Sequence, residues 1–270
     1  MLKRTKRLIA FGGIAVICLA SAVVFMRSQY MLPIVTYHSV QPSVPHGSLL
    51  IVSTKTFQRQ MKFLKENKYN VMRLEQAAAL IAQKKKISGR FVVLTFDDGN
   101  LDNYIYAFPV LKKYGLPATI FLVVNDIGKP DKLNWDQIRE MQDSGLITFG
   151  SHSMSHPFLD RITSDPELIK EISGSKQMLE ASLARPVPMF AYPSGRMNKL
   201  VRRKVIDAGY KIAVTTNPGR SFAGDDVFAV KRLRISENSR NLFIFWFETT
   251  GYYNFIRENK LSKKNIYGRR

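Results

Sequence analysis

At 270 residues, 45% of them hydrophobic, the chain can bury a full core and fits one α/β domain of barrel size better than two small ones. Its net charge of +20 points to an anionic partner, yet no zinc-finger spacing and no basic stripe interleaved with aromatics accompanies it, which argues against nucleic acid. About half of the excess lies at the ends: Lys3, Arg4, Lys6, Arg7 and Arg27 stand in a start without an acid, and the stretch from Gly251 carries six basic residues against Glu258.

Taken in chain order, residues 1–7 form a basic start, followed by an uncharged apolar run of 19 residues from Leu8 to Met26. At ~1.5 Å per residue such a helix nearly matches a ~30 Å hydrocarbon core. With the basic residues mainly on its amino side, the positive-inside rule keeps 1–7 in the cytoplasm and sends the rest outward. The reading is a single-pass signal-anchor at 8–26, a linker at 27–32, a domain at 33–250 outside the membrane and a basic tail at 251–270. Cleavage at Ala20-Ser21-Ala22, giving a secreted form, is the competitor, but the apolar run continues past it. Cys18 is the sole cysteine, so no disulfide is expected, and Ile17 before it speaks against a lipoprotein signal.

Strand and helix signals alternate from there. Pro33 to Tyr37 reads as a buried strand ending at His38, then a loop with Pro42, Pro45, His46 and Gly47. Ser53 can cap a helix with Phe57, Met61 and Phe63-Leu64 on its inner face. Val71 to Leu74 predicts a strand, Glu75 to Lys85 a helix, and Phe91 to Phe96, an uncharged β-branched and aromatic run, a strand buried on both faces. Tyr104 to Tyr114 predicts a helix stopped by Gly115, Ala118 to Val124 a strand, Asn134 to Ser144 a helix, and Leu146 to Phe149 a strand. A long helix opens at Asp165-Pro166 and runs toward Leu183. Strands at Val187 to Ala191, Lys211 to Val214 and Val227 to Ile235, with a helix at Lys199 to Ala208, complete the pattern. Such alternation in one domain implies a parallel sheet closed as a (β/α) barrel.

The polar residues fall at strand ends. His38, Asp97-Asp98, His152 and Tyr192-Pro193 each follow an apolar strand, and barrels of this type gather their active sites at the carboxyl ends of the strands. Two adjacent carboxylates after a buried strand are costly unless a cation or chemistry uses them, although Asp98-Gly99 is also a common turn dipeptide. His152 and His156, four apart, would share one side of a helical turn and could bind one ion, or be surface histidines that cap or hydrogen-bond. Two histidines joined to one of the acids leave an open position for water, the pattern of a catalytic zinc.

At these residues the chain resembles the polysaccharide deacetylases with the NodB-homology domain, carbohydrate esterase family four. Thr95-Phe96-Asp97-Asp98-Gly99 is similar to the first motif of that family and His152 to His156 to the second, within a resemblance that runs from Pro33 to Ile235. It implies a single distorted barrel of about seven strands, Asp97 as base, and Asp98, His152 and His156 as ligands of a divalent metal, zinc first, with cobalt, nickel or manganese as alternatives. Two departures stand out: Ala191-Tyr192-Pro193-Ser194-Gly195 lacks the arginine of the third motif, and no histidine follows His156 to serve the late L-x-H motif. Both departures, with Tyr37-His38, resemble the subgroup that de-N-acetylates poly-β-1,6-N-acetylglucosamine and related exopolysaccharides.

The expected activity is therefore metal-dependent hydrolysis of N-acetyl groups on an N-acetylglucosamine-containing polysaccharide. The Ser194 N–H is a candidate oxyanion donor, since Pro193 has none to give. Arg232 either replaces the missing tether of Asp97 or is a charge on the barrel rim. His38 is the candidate general acid by elimination, position and the subgroup resemblance; the bland alternative is packing at the rim. Two rival readings are a membrane-tethered binding module without turnover and an O-acetyl esterase on a similar polymer. The basic body would lie against anionic lipid or wall polymer.

Overall fold

The computed structural model describes residues 18–21, 24–25, 30–83, 89–216 and 226–253. The chain divides into a unit of Leu32–Thr250 and a second of Met1–Met31 with Gly251–Arg270. Within the second, the Met31 N–H donates to the Gly251 carbonyl (2.9 Å) and the rings of Tyr30 and Tyr252 meet edge-on at 5.7 Å. The basic start, most of the apolar run 8–26, residues 27–29 and the tail from 254 lie outside the described residues. Among the described residues no helix is long and apolar enough to cross a membrane.

The larger unit is a parallel barrel. Its strands are β1 (Ile34–Tyr37), β5 (Phe91–Phe96), β6 (Ala118–Leu122), β7 (Ile147–Ser151), β8 (Met189–Ala191), β9 (Ile212–Thr215), β10 (Val230–Lys231) and β11 (Leu233–Arg234), with β4 (Asn70–Val71) beside the start of β5. The sheet runs β10-β9-β8-β7-β6-β5-β1-β11, all parallel. β10 pairs with β9 and β11 with β1, so one stretch of chain serves both edges and closes the barrel as its seventh stave. The change of partner falls at Arg232, whose N–H still donates to Thr215 (2.8 Å), while the Ile235 N–H already donates to Thr36 (2.9 Å).

Strand alternation sorts the core into layers. Met189, Ala191, Ile212 and Val214 join Ile34, Val93, Phe121 and Val230 in one apolar cluster, which Leu74 and Ala77 of α2 (Leu74–Ala82) also enter. Their neighbours Phe190, Tyr192 and Ala213 face the other way. They pack with Leu168 of α5 (Asp165–Ile169) and with Val201 and Val205 of α7 (Lys199–Asp207). Because both faces are covered, β1 and β5 carry no exposed residue, which explains their unbroken apolar runs.

Several local readings need correction. The loop expected after His38 contains two short paired strands, β2 (Ser39–Gln41) and β3 (Ile51–Ser53), before α1 (Thr54–Glu66), where Ser53 caps as expected through the Thr56 N–H (3.1 Å). The expected helix from Tyr104 begins as a π-helical turn (Asn103–Ala107) and becomes α3 (Phe108–Tyr114). Pro109 has no N–H to continue the regular ladder, and the Phe108 N–H reaches back five residues to Asn103. α4 (Trp135–Asp143) matches its expectation, capped by Asn134. The long helix runs from Asp165 to Leu183 as expected, with a π turn (Lys170–Gly174) between α5 and α6 (Ser175–Leu183). A last helix, α8 (Leu242–Glu248), lies where no element was expected.

Candidate active site

Parallel register sets the residues that follow paired strand ends at one level. Tyr37 pairs with Phe96, so His38 and Asp97 leave β1 and β5 side by side. Leu122 pairs with Ser151, and the next N–H, that of His152, donates to the Leu122 carbonyl (2.8 Å).

Asp97 turns inward and is 3% exposed. Arg232 meets it with two parallel bonds, Nη1 to Oδ1 and Nη2 to Oδ2, both 2.7 Å, and Nη1 also donates to the hydroxyls of Thr36 and Thr95 (3.1 Å each). The guanidinium lies over the Phe121 ring, 5.3 Å from its centroid. Burial by itself would raise the Asp97 carboxyl; the Arg232 charge, then His152, the Arg232 hydrogen bonds and His38 outweigh it and hold the group well below the usual carboxylate range. Arg232 thus occupies the place that Ala191 in the third-motif segment cannot fill.

Asp98 points elsewhere because its backbone is left-handed (φ 71°), as is Gly99 (φ 59°), where a Cβ would come within 2.8 Å of Leu122. The Asp-Gly turn and the site are one feature: the turn separates the two carboxylates. Asp98 Oδ1 lies 3.6 Å from His152 Nε2 and 3.8 Å from His156 Nε2, and the three ligand atoms fall within 4.8 Å of one another. A tetrahedral ion with bonds of ~2.1 Å holds its ligand atoms roughly 3.4 Å apart, so the donors need only small movements to share one. His152 Nδ1 is 2.7 Å from the Ala191 carbonyl, which has no proton to give; Nδ1 is therefore the donor, and Nε2 faces Asp98 with its lone pair. Burial lowers the His152 pKa despite the nearby Asp97 and Asp98, which favours the neutral, ligating form. Two imidazoles and one carboxylate make a donor set that fits a divalent cation of the zinc type.

The histidine pair does not sit on a helical turn as its spacing predicted. Residues 152–156 form an open loop with Ser153 (φ 69°) and His156 (φ 62°) left-handed. Glu171, 5% exposed, accepts hydrogen bonds from the N–H groups of Met154 (3.1 Å) and Ser155 (2.9 Å) and from the Ser155 hydroxyl (2.6 Å). Sequence reasoning missed this residue. Its signal was a charge on the buried stripe Leu168, Ile172, Ser175, Leu179.

His38 Nε2 is 3.9 Å from Asp97 Oδ2, and the side chain is 15% exposed. Its carbonyl accepts from both Asn100 Nδ2 (3.0 Å) and Asn103 Nδ2 (2.9 Å), two further residues whose part was not foreseen. His38 and Asp98 line a cavity of about 440 Å³ with Asn100, Asp131, Gln41 and Leu50. Ser194 is left-handed (φ 55°) and exposed on a short turn after β8. That turn is fixed by Gly195, whose N–H donates to Tyr192 (2.8 Å) and whose carbonyl accepts from the Thr215 hydroxyl (2.7 Å).

The sequence and the fold both have known counterparts. The family model for polysaccharide deacetylase matches residues 84–213. YxkH of Bacillus subtilis, named as a polysaccharide deacetylase, is 36% identical over 205 residues, 76% of this chain and 71% of that protein. The poly-β-1,6-N-acetyl-D-glucosamine N-deacetylase of Staphylococcus aureus is 27% identical over 200 residues, 70% and 69% of the two chains. Among solved structures, the deacetylase PplD of Streptococcus pyogenes in complex with acetate superposes with a TM-score of 0.72 at 30% identity, covering 78% of this chain and 96% of that one. IcaB from Ammonifex degensii gives 0.70 at 25% identity, covering 81% and 97%. A closed parallel barrel with two acids and two histidines at its carboxyl end thus comes with relatives that share most of its length, and the chain belongs to the polysaccharide deacetylase family of NodB-homology enzymes.

Proposed function

We propose that this polysaccharide deacetylase removes N-acetyl groups from an N-acetylglucosamine-containing polysaccharide by metal-dependent hydrolysis. The observation that carries the reading is the convergence of Asp98, His152 and His156 beside a second carboxylate, Asp97, that is held apart from them by its own arginine. The name of the Staphylococcus aureus relative supports the polymer class. A divalent cation, zinc first and cobalt, nickel or manganese as alternatives, would supply Lewis acidity toward the acetamide carbonyl and a more acidic water.

The protein's own groups carry the remaining steps. Asp97, ionised and fixed by Arg232, accepts a proton from the attacking water as its oxygen bonds to the carbonyl carbon. The Ser194 N–H is the candidate donor to the developing oxyanion. As the C–N bond breaks, His38 delivers a proton to the departing sugar amine, and acetate and a free glucosamine residue result.

Acetate release from defined β-1,6 and β-1,4 N-acetylglucosamine oligomers, and from an O-acetylated one, tests the reading. Chelation should abolish release and zinc or cobalt should restore it; full activity in verified metal-free protein would overturn the metal requirement. Asp98→Asn should lose bound metal, whereas Asp97→Asn should keep it and lose turnover. Equal metal loss in both variants would mean that the two roles are assigned wrongly.

We also infer that the barrel works outside the cytoplasmic membrane, retained by the run 8–26, with its basic body against anionic lipid or wall polymer. The charge asymmetry around that run supports this. External protease should digest the barrel in intact cells, with the protein in the membrane fraction. A protected barrel, or a soluble product beginning near Val23, would overturn it.

A further inference from the structure

We propose that Glu171 is the positioning residue that shapes the His152–His156 loop into a ligand pair before any cation arrives. The inference rests on the metal reading above and adds to it a residue with no place among the ligands. Its starting point is a backbone problem: a loop with two left-handed, non-glycine residues, Ser153 and His156, is not a conformation that five residues hold by themselves.

The N–H groups of the loop show what holds it. That of Ser153 donates to the Ser151 hydroxyl (3.2 Å), itself tied to the Ser175 hydroxyl (2.8 Å) at the start of α6. That of His156 donates to the Ser153 hydroxyl (2.9 Å). The Ser155 N–H goes to Glu171 Oε2 (2.9 Å) and the Ser155 hydroxyl to Oε1 (2.6 Å), while the Met154 N–H is shared between Oε2 and the Glu171 backbone carbonyl, at 3.1 Å each. Among the described residues no lysine or arginine pairs with Glu171, which is 5% exposed. A buried carboxylate without a cation is costly unless donors compensate it, and here every donor it has comes from the loop.

The consequence falls on the ligands. His152 and His156 each approach the same Asp98 oxygen, at 3.6 and 3.8 Å, with ring centroids 4.8 Å apart. That convergence exists only while the residues between them keep their path. Glu171 should therefore govern metal affinity through reach, not through charge.

Two substitutions separate those properties. Glu171→Asp keeps the charge and withdraws the acceptors by one methylene; Glu171→Gln keeps the reach, its Oε1 accepting both N–H groups while Nε2 turns to the Ser155 hydroxyl. Zinc affinity is measured by competition with a chelating dye, with the melting temperature of each metal-free protein as control. Glu171→Asp should bind zinc ~10-fold or more weakly, in the range known for groups that orient ligands. Glu171→Gln should stay within about threefold of the unsubstituted protein. Affinity within twofold in Glu171→Asp, or an equal loss in both variants, overturns the proposal.

A measurement on the unsubstituted protein covers the case of a variant that does not fold. In metal-free protein the Ser155 amide, whose acceptor is the Glu171 carboxylate, should exchange slowly with solvent, and exchange at the rate of an open chain overturns the proposal. Failure of the unsubstituted protein to bind zinc would strike the metal reading itself and leave the amide measurement to decide whether Glu171 orders the loop.

Discussion

Replacing Arg232 by methionine should destabilise the metal-free protein by about 3–5 kcal/mol, on the order of 10 °C in Tm, and nearly abolish turnover. The change leaves the Asp97 carboxylate, with 4% of its side chain exposed, in the barrel without the two 2.7 Å bonds that compensate its burial. In the unsubstituted protein the Asp97 pKa lies below its unfolded value, so its stabilisation is complete above the unfolded pKa and fades only as pH falls toward the folded one. Without Arg232 burial dominates and the sign reverses: the folded state holds the proton more tightly than the unfolded chain, and stability falls as pH rises. Denaturant titrations of Arg232→Met at pH 5 and pH 8 should therefore show the larger deficit at pH 8. Adding Asp97→Asn should recover much of the lost stability but no activity. A single variant as stable as the parent at both pH values would mean that the pair is not a structural necessity.

His38→Ala should lower kcat by roughly 10²- to 10⁴-fold, the range for loss of a general acid or base, with fold and bound metal intact. Register places His38 next to Asp97 at the mouth, with Nε2 3.9 Å from Oδ2 and the Asn100 and Asn103 amides fixing its backbone. A general acid must be protonated to act, so its loss should also remove the decline of activity on the alkaline side of the pH–rate profile. Near-normal kcat with an unchanged profile would exclude His38 and leave water or a tyrosine as the proton source.

The barrel was legible because its signals are local. The uncharged runs at Ile34–Tyr37 and Phe91–Phe96 fit only strands covered on both faces, and placing His38, Asp97-Asp98 and His152 directly after strands puts them at one end of a parallel sheet. A gap of four between His152 and His156 announced a pair aimed at one point, and the resemblance supplied the roles. Where such reading failed, the determining partner was remote in the chain or the backbone left its regular geometry. The helical turn expected for the histidines is an open loop, because loop N–H groups donate to Ser151 and Glu171 and so hold a path through the left-handed Ser153 and His156 that propensity disfavours.

Arg232 marks the boundary between the two kinds of information. From sequence it was equally a tether or a rim charge, since nothing within one element distinguishes them. It meets Asp97 across 135 positions because β10 and β11 pair with opposite edges of the sheet, and closing the barrel turns the residue between them inward. Periodicity encodes which face of a strand is buried, residue by residue; which two edges meet, and what charge is then sealed between them, depends on the packing of the whole barrel, and that only the tertiary structure decided.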